Sequence, residues 1–353
     1  MKIAFFSDLH IGVHKNSTEW HKIALQWCDW FCKQCHQHNV DHIIFCGDLF
    51  HHRDSIDVRS LNVADAIVKK ISNEYNVSMI VGNHDCYYKD KGIINSLKQW
   101  KDIKNLDIFF SKVGQDENDW DYKVIGNNNE CKIIYAPWGS DLYKLPDGDI
   151  LIAHCELNNF KLNNNRISDC KLEANTILDK IPVAFIGHIH TRSERSYGND
   201  KKIIYVGNPY EMDFNDEGNT KGIYIYDTIS KNISFIENTI SPKHKKVFAS
   251  KVDSIKSEEL NNTIVKLVVD KQLNDDELTQ IKSKISTSSP FHITDTDYID
   301  NFKNLQTEDG EYDISGNSTL DVYIEEFIDK LDVEYKEEIK QKVLESYKHY
   351  SND

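Results

Sequence analysis

Short apolar runs recur along the first two thirds of the chain, each ending in a polar turn. They are Lys2–Phe6, Ile43–Cys46, Val77–Val81, Ile133–Ala136, Asp149–Ala153, Val183–Ile186, Ile203–Val206, Gly222–Tyr226 and Ile233–Glu237. Runs of this length bounded by Gly, Asn or Asp predict strands. Two longer stretches follow the helical period instead. Across Thr18–His38, the residues Trp20, Ile23, Ala24, Trp27 and Phe31 form one stripe; near Asp57–Tyr75, Val58, Leu61, Val68 and Ile71 do the same.

The pattern changes at Ser241-Pro242-Lys243-His244-Lys245-Lys246. Residues 1–240 are expected to form the main domain. Residues 241–289 read as strand, helix, strand (Val265–Val269) and helix (Asp275–Ile285), a small α+β domain. Residues 290–318 are polar and acidic with little periodicity, as in a linker. Residues 319–353 turn helical again. Leu320, Tyr323, Ile324, Phe327, Ile328 and Leu331 make one apolar stripe, and Tyr335, Ile339, Val343 and Tyr347 begin a second. These predict a helical hairpin too small to bury both stripes by itself.

Composition narrows the function classes. No apolar run approaches the roughly 20 residues of a membrane span, and the first residues turn polar at once, so a cytoplasmic protein is expected. The eight cysteines follow no framework spacing, as for reduced thiols. Cys28, Cys32 and Cys35 with His36 and His38 match no standard zinc spacing and read as helix-core cysteines. The net charge of −15 argues against a general nucleic-acid binder, which needs many Lys and Arg on phosphates. It does not exclude an enzyme whose metals carry the local positive charge. Lys243-His244-Lys245-Lys246 is the cluster that reads either as a contact to a DNA backbone or as a solvated face.

The chemistry lies where the apolar runs end. In order these ends carry Asp8-x-His10, Gly47-Asp48, Gly82-Asn83-His84-Asp85, His154 and Gly187-His188-Ile189-His190. One Gly-Asp or one His after a strand is an ordinary event; five such events, each at the end of an apolar run, predict a metal centre. Asp8 and His10, two apart near a strand end, are expected on one side. The set of Asp, Asn and His without Cys suits a catalytic site for Mn²⁺, Fe²⁺, Zn²⁺ or Mg²⁺. Two ions ~3.5–4 Å apart need a shared ligand, and Asp48 is the natural bridge. His52, His14 and His21 stand outside these motifs and are expected in solvent, and Asp85 is expected to brace its loop.

The motif order over residues 1–240 resembles the calcineurin-like metallophosphoesterase superfamily. Ser7-Asp8-Leu9-His10-Ile11-Gly12 and Gly47-Asp48-Leu49-Phe50-His51 narrow the resemblance to SbcD-type DNA repair nucleases. Chain length, the Gly207-Asn208-Pro209 turn and the tail resemble most the recombination nuclease subunits of T-even-like phages. The resemblance implies an α/β fold: a two-sheet sandwich flanked by helices, with the small α+β domain and the hairpin appended. It implies one metal on Asp8, His10, Asp48 and His190 and another on Asp48, Asn83, His154 and His188, most often Mn²⁺. His84 then contacts the phosphate and protonates the leaving oxygen, and His51 stands near the scissile phosphate.

The implied activity is hydrolysis of DNA phosphodiesters, exonucleolytic and structure-specific endonucleolytic, in recombination, repair and end processing. The implied partners are DNA, a second copy of the chain and an SbcC-type coiled-coil ATPase docked on the hairpin. The alternative is a metallophosphoesterase acting on phosphoproteins or small phosphodiesters. His51 and Asp85 stand where family phosphoprotein phosphatases usually carry Asp and Glu. A non-catalytic scaffold is the further rival, but such chains lose metal ligands and none is missing here.

Overall fold

Among the described residues, sixteen strands in three sheets carry the architecture. β1 (Lys2–Phe6), β2 (His42–Phe45), β3 (Asn76–Ile80) and β4 (Leu106–Phe109) run parallel, and β11 (Gly222–Asp227) and β12 (Ile233–Glu237) add antiparallel at the β1 edge, giving the order β12-β11-β1-β2-β3-β4. The second sheet is β5-β6-β7-β8-β10-β9, from β5 (Asp121–Ile125), β6 (Cys131–Ala136), β7 (Ile150–His154), β8 (Val183–Gly187), β9 (Ser193–Ser196) and β10 (Lys202–Tyr205). Its four central strands are parallel and its two outer ones antiparallel. The computed structural model describes residues 1–89, 92–111, 120–126, 131–162, 166–294, 297–298 and 340–342.

The central strands of the two large sheets are largely apolar because both faces of those sheets are covered. Ile3 and Phe5 of β1 point between the sheets with Ile44, Ile80, Ile152, Phe185 and Ile204. There Phe5 stacks on Phe185 at 3.8 Å and Phe109 on Tyr135 at 3.9 Å. Ala4 and Phe6, the alternate residues, face outward onto α1 (Thr18–Gln37) and α2 (Val58–Glu74). The α1 stripe supplies Ile23, Ala24, Trp27 and Phe31 to that layer, with Cys28, Cys32 and Cys35 buried beside them. Asp57 caps α2 by accepting from the Arg59 N–H at 2.8 Å. On the other side, α3 (Ala174–Leu178) covers Leu151, Ala153, Ala184 and Ile186.

The chain thus has the expected two-sheet α/β sandwich flanked by helices, with a third, small sheet. β13 (Lys243–Phe248), β14 (Thr263–Val269) and β15 (His292–Ile293) run parallel in that order under α4 (Asp275–Thr287), and β16 (Asp297–Tyr298) also pairs with β14. The helix expected between β13 and β14 is instead two 3₁₀ turns, Ala249–Ser254 and Ser257–Leu260. β15 lies beyond residue 289, where the linker was expected to begin, and residues 1–297 form one compact unit. Of the expected hairpin, only Lys340–Lys342 fall within the described residues, and they are helical. No helix among the described residues is long and apolar enough to cross a membrane.

Candidate metal centre

The carboxyl ends of β1, β2, β3, β7 and β8 deliver the nine expected side chains to one place, where parallel α/β sheets build their sites. Asp8, His10 and His190 offer ligand atoms within 4.8 Å of one another, and Asp48, His154 and His188 make a second such group. Asn83 joins the second group: its Oδ1 lies 3.0 Å from His154 Nε2 and 2.9 Å from His188 Nδ1. Asp48 stands between the two. Its Oδ2 is 3.6 Å from His10 Nε2 and 3.3 Å from His154 Nε2. His10, His51 and His84 form a third group that shares His10 with the first.

The backbone that makes this convergence was only partly visible in the sequence. Asp8, His10, Asp48 and His188 all take positive φ, from 44° to 86°. Asp8 and His10 therefore meet through a left-handed loop past the end of β1, not through the two-residue period of a strand. Such conformations cost roughly 1–3 kcal/mol each in a non-glycine residue and concentrate at functional sites. The glycines beside them allow the close approach. A Cβ on Gly82 would lie 2.2 Å from Asp48 Oδ1, and one on Gly47 would lie 2.4 Å from His154 Nδ1.

Buried anchors hold the loops. Asp85 accepts from the backbone N–H groups of Asp48 (2.9 Å), Leu49 (2.9 Å), Phe50 (3.3 Å) and Gly82 (3.0 Å), tying the β2 loop to the β3 loop. Burial first, and the charge of Asp48 second, push its carboxyl up to about 7 against those donors. Lys221 is the anchor that sequence reasoning missed. Its ammonium is buried and donates to the His190 carbonyl at 2.8 Å, to Asp216 Oδ1 at 2.6 Å and to Asn208 Oδ1. A single lysine in a lysine-rich chain carries no signal of that role. His21 is a correction. It is buried in α1 and bonded to Ser60 Oγ at 2.9 Å, because the helix turns it toward α2 and not toward solvent. His14 is exposed, but its Nε2 bonds the Met212 carbonyl at 2.7 Å.

Protonation follows from these neighbours. His154 Nδ1 donates to the Cys46 carbonyl at 2.7 Å, which leaves Nε2 facing Asp48 and Asn83. Burial works against a charge on His154, but Asp48 outweighs it and lifts the group to about 9. Burial also opposes the Asp48 charge, yet His154, His10 and His84 hold its carboxyl well below the usual range. Burial, then the neighbouring imidazoles, keep His10 far below its ordinary value and His188 down at about 3, so both rings are neutral donors of lone pairs. His84 Nδ1 donates to the His51 carbonyl at 2.6 Å, leaving its Nε2 free.

These residues fit a pair of divalent cations. His10 Nε2 and His190 Nε2 face each other at 2.9 Å, and His10 Nδ1 is buried without a partner. Two carboxylates, one amide oxygen and imidazoles, with an ion taking the place of the proton on His154, would suit a borderline to hard divalent ion. The helix cysteines join no such cluster among the described residues. Away from the site, Lys243 and Lys245 pair with Glu237 and Glu259, while His244 between them is buried.

The family model for calcineurin-like phosphoesterases matches residues 1–192. Exonuclease subunit 1 of Enterobacteria phage T4 is 26% identical over 287 residues, which cover 77% of this chain and 79% of that protein. Among solved structures, an archaeal phosphodiesterase matches with 18% identity, 67% of this chain, all of its own and a TM-score of 0.36. A dimetal phosphatase from Danio rerio matches with 10% identity, 67% of this chain, 95% of its own and a TM-score of 0.42.

Proposed function

The chain belongs to the calcineurin-like phosphoesterase family and is a metal-dependent hydrolase, and from that premise we propose that its substrate is DNA. The observation that carries the proposal is the match to a phage exonuclease subunit, which runs past the family domain and covers more than three quarters of both chains. The wording around the site agrees with it: His51 follows Asp48 by three residues, and Asp85 follows the Asn83-His84 pair.

In this reading Asp8, His10, Asp48 and His190 hold one ion, and Asp48, Asn83, His154 and His188 the other. Mn²⁺ is the proposed ion at both. When bound, such ions supply an activated water and positive charge on the phosphate oxygens. The chain's own residues do the rest. Asp48 is fixed as the shared carboxylate by the His84 N–H, 2.8 Å from its Oδ1. His84 has Nδ1–H locked on the His51 carbonyl, so Nε2 is the atom left to pass a proton to the departing oxygen. His51 lines the same mouth, its ring 5.8 Å from that of His84.

The proposed assembly is a nuclease subunit with an SbcC-type coiled-coil ATPase, docked through residues 319–353, and with a second copy of the chain. The test is to incubate the purified chain and Mn²⁺ with single-stranded and duplex oligonucleotides, a phosphopeptide and bis-p-nitrophenyl phosphate. DNA hydrolysis that EDTA and Asp48→Asn abolish, with the phosphopeptide untouched, is expected. Turnover of the phosphopeptide or the small diester with intact DNA would overturn the nuclease reading.

A further inference from the structure

A cavity of about 470 Å³ opens beside the candidate metal centre, with His154 in its wall. Its volume falls in the range of small-ligand sites, roughly 300–1,000 Å³. The Trp138 indole joins the two spaces. Its ring centroid lies 5.1 Å from that of His188 and 6.0 Å from that of His154, it packs against the core under the helices, and it lines the cavity. Two bonds fix the indole: its backbone N–H donates to the Val81 carbonyl at 2.9 Å and its Nε1–H to the Lys89 carbonyl at 2.6 Å. Leu142, Leu172 and Tyr143 supply further apolar and aromatic wall, Lys89 a cation and Glu156 a carboxylate, while the Asp141 carboxylate in the same wall is held by the Tyr143 N–H and the Lys144 ammonium. Tyr143 is 63% exposed, a large aromatic surface at the rim with little of its area packed.

We propose that this cavity is a nucleobase subsite, which takes the unpaired base of the nucleotide whose phosphate lies on the metal centre. The inference rests on the nuclease reading above and names the part of the DNA that the site grips. A flat ring fits beside Trp138 and Tyr143, where stacking is available whatever the base. The Glu156 carboxylate can accept from the N–H groups of a base edge. The cavity therefore favours one nucleoside pointing away from the scissile phosphate, and it requires that base to leave any duplex stack. Strand ends and single-stranded regions meet that demand at least cost.

The test compares calorimetric binding of deoxyadenosine 5′-monophosphate and of 2-deoxyribose 5-phosphate to the full chain with Mn²⁺. Base–aromatic stacking predicts that the nucleotide binds about tenfold more tightly or better. Trp138→Leu should remove most of that preference. Tyr143→Ala, at an exposed position where folding is not at stake, should cut it several-fold. Equal affinities in the wild type, or a preference that neither substitution changes, would overturn the subsite. A parallel digest keeps the two claims apart. DNA hydrolysis without a preference for the nucleotide would overturn the subsite alone. A preference for the nucleotide with no DNA hydrolysis would support the subsite and overturn the nuclease reading.

Discussion

Single side chains in this centre have separable jobs, and substitution separates them. Asp48 faces both groups of candidate ligands, at 3.6 Å from His10 and 3.3 Å from His154. Asp48→Asn removes the charge and the basicity that a shared ligand needs. We expect titration calorimetry to lose at least one Mn²⁺ site and hydrolysis to fall to background. His84 contributes its backbone N–H to Asp48 whatever its side chain, so His84→Ala leaves that bond in place. Removal of a general acid costs roughly 10²–10⁴-fold in turnover, and metal analysis of this variant should show the wild-type content. A His84→Ala protein that purifies with half its metal would make His84 a ligand and break the proposed division of roles.

Strands and loops set where those side chains meet. His42 of β2 is buried and bonded to Ser78 Oγ of β3 at 2.9 Å. Burial, with a smaller push from Lys123, lowers it from 6.5 to about 4. The unfolded chain therefore takes up a proton below pH 6.5 that the folded chain refuses until about pH 4. Stability is full above pH 6.5 and falls as pH drops through that window, by about 3 kcal/mol for a shift of this size. Melting curves of wild type and His42→Gln across pH 7 to 4 should show the steeper loss in the wild type; parallel curves would contradict the assignment. Much at this scale was legible in the sequence. Apolar runs that end in Asp, Asn or His marked the five strand ends, since buried parallel strands leave no polar alternation to confuse the reading. The left-handed backbone at Asp8, His10, Asp48 and His188 was not legible, because non-glycine residues hold it only through tertiary bonds. Neither was Lys221, whose three acceptors come from loops up to 31 residues away. The small sheet was misjudged at its edges, where two 3₁₀ turns replaced a helix and β15 followed the expected boundary.

The whole chain is acidic, with a net charge of −15, and the candidate centre is its place for attracting a phosphate backbone. The four-residue basic cluster offers little, since two of its lysines are already paired with glutamates. Affinity for long duplex DNA is therefore expected to need a partner. Residues 319–353 carry the two apolar stripes proposed to bind one. Deleting them should leave Mn²⁺-dependent cleavage of short single strands largely intact and abolish both co-purification with a coiled-coil ATPase and ATP-stimulated activity on duplex ends. Full pull-down by the truncated chain would refute the docking role.

The central claim is a pair of metals bridged by Asp48, and anomalous scattering from crystals grown with Mn²⁺ tests it most directly. Two peaks are predicted, ~3.5–4 Å apart, one against Asp8, His10 and His190, the other against Asn83, His154 and His188, with Asp48 touching both. One peak alone, or two peaks of which either lies clear of Asp48, would contradict the account.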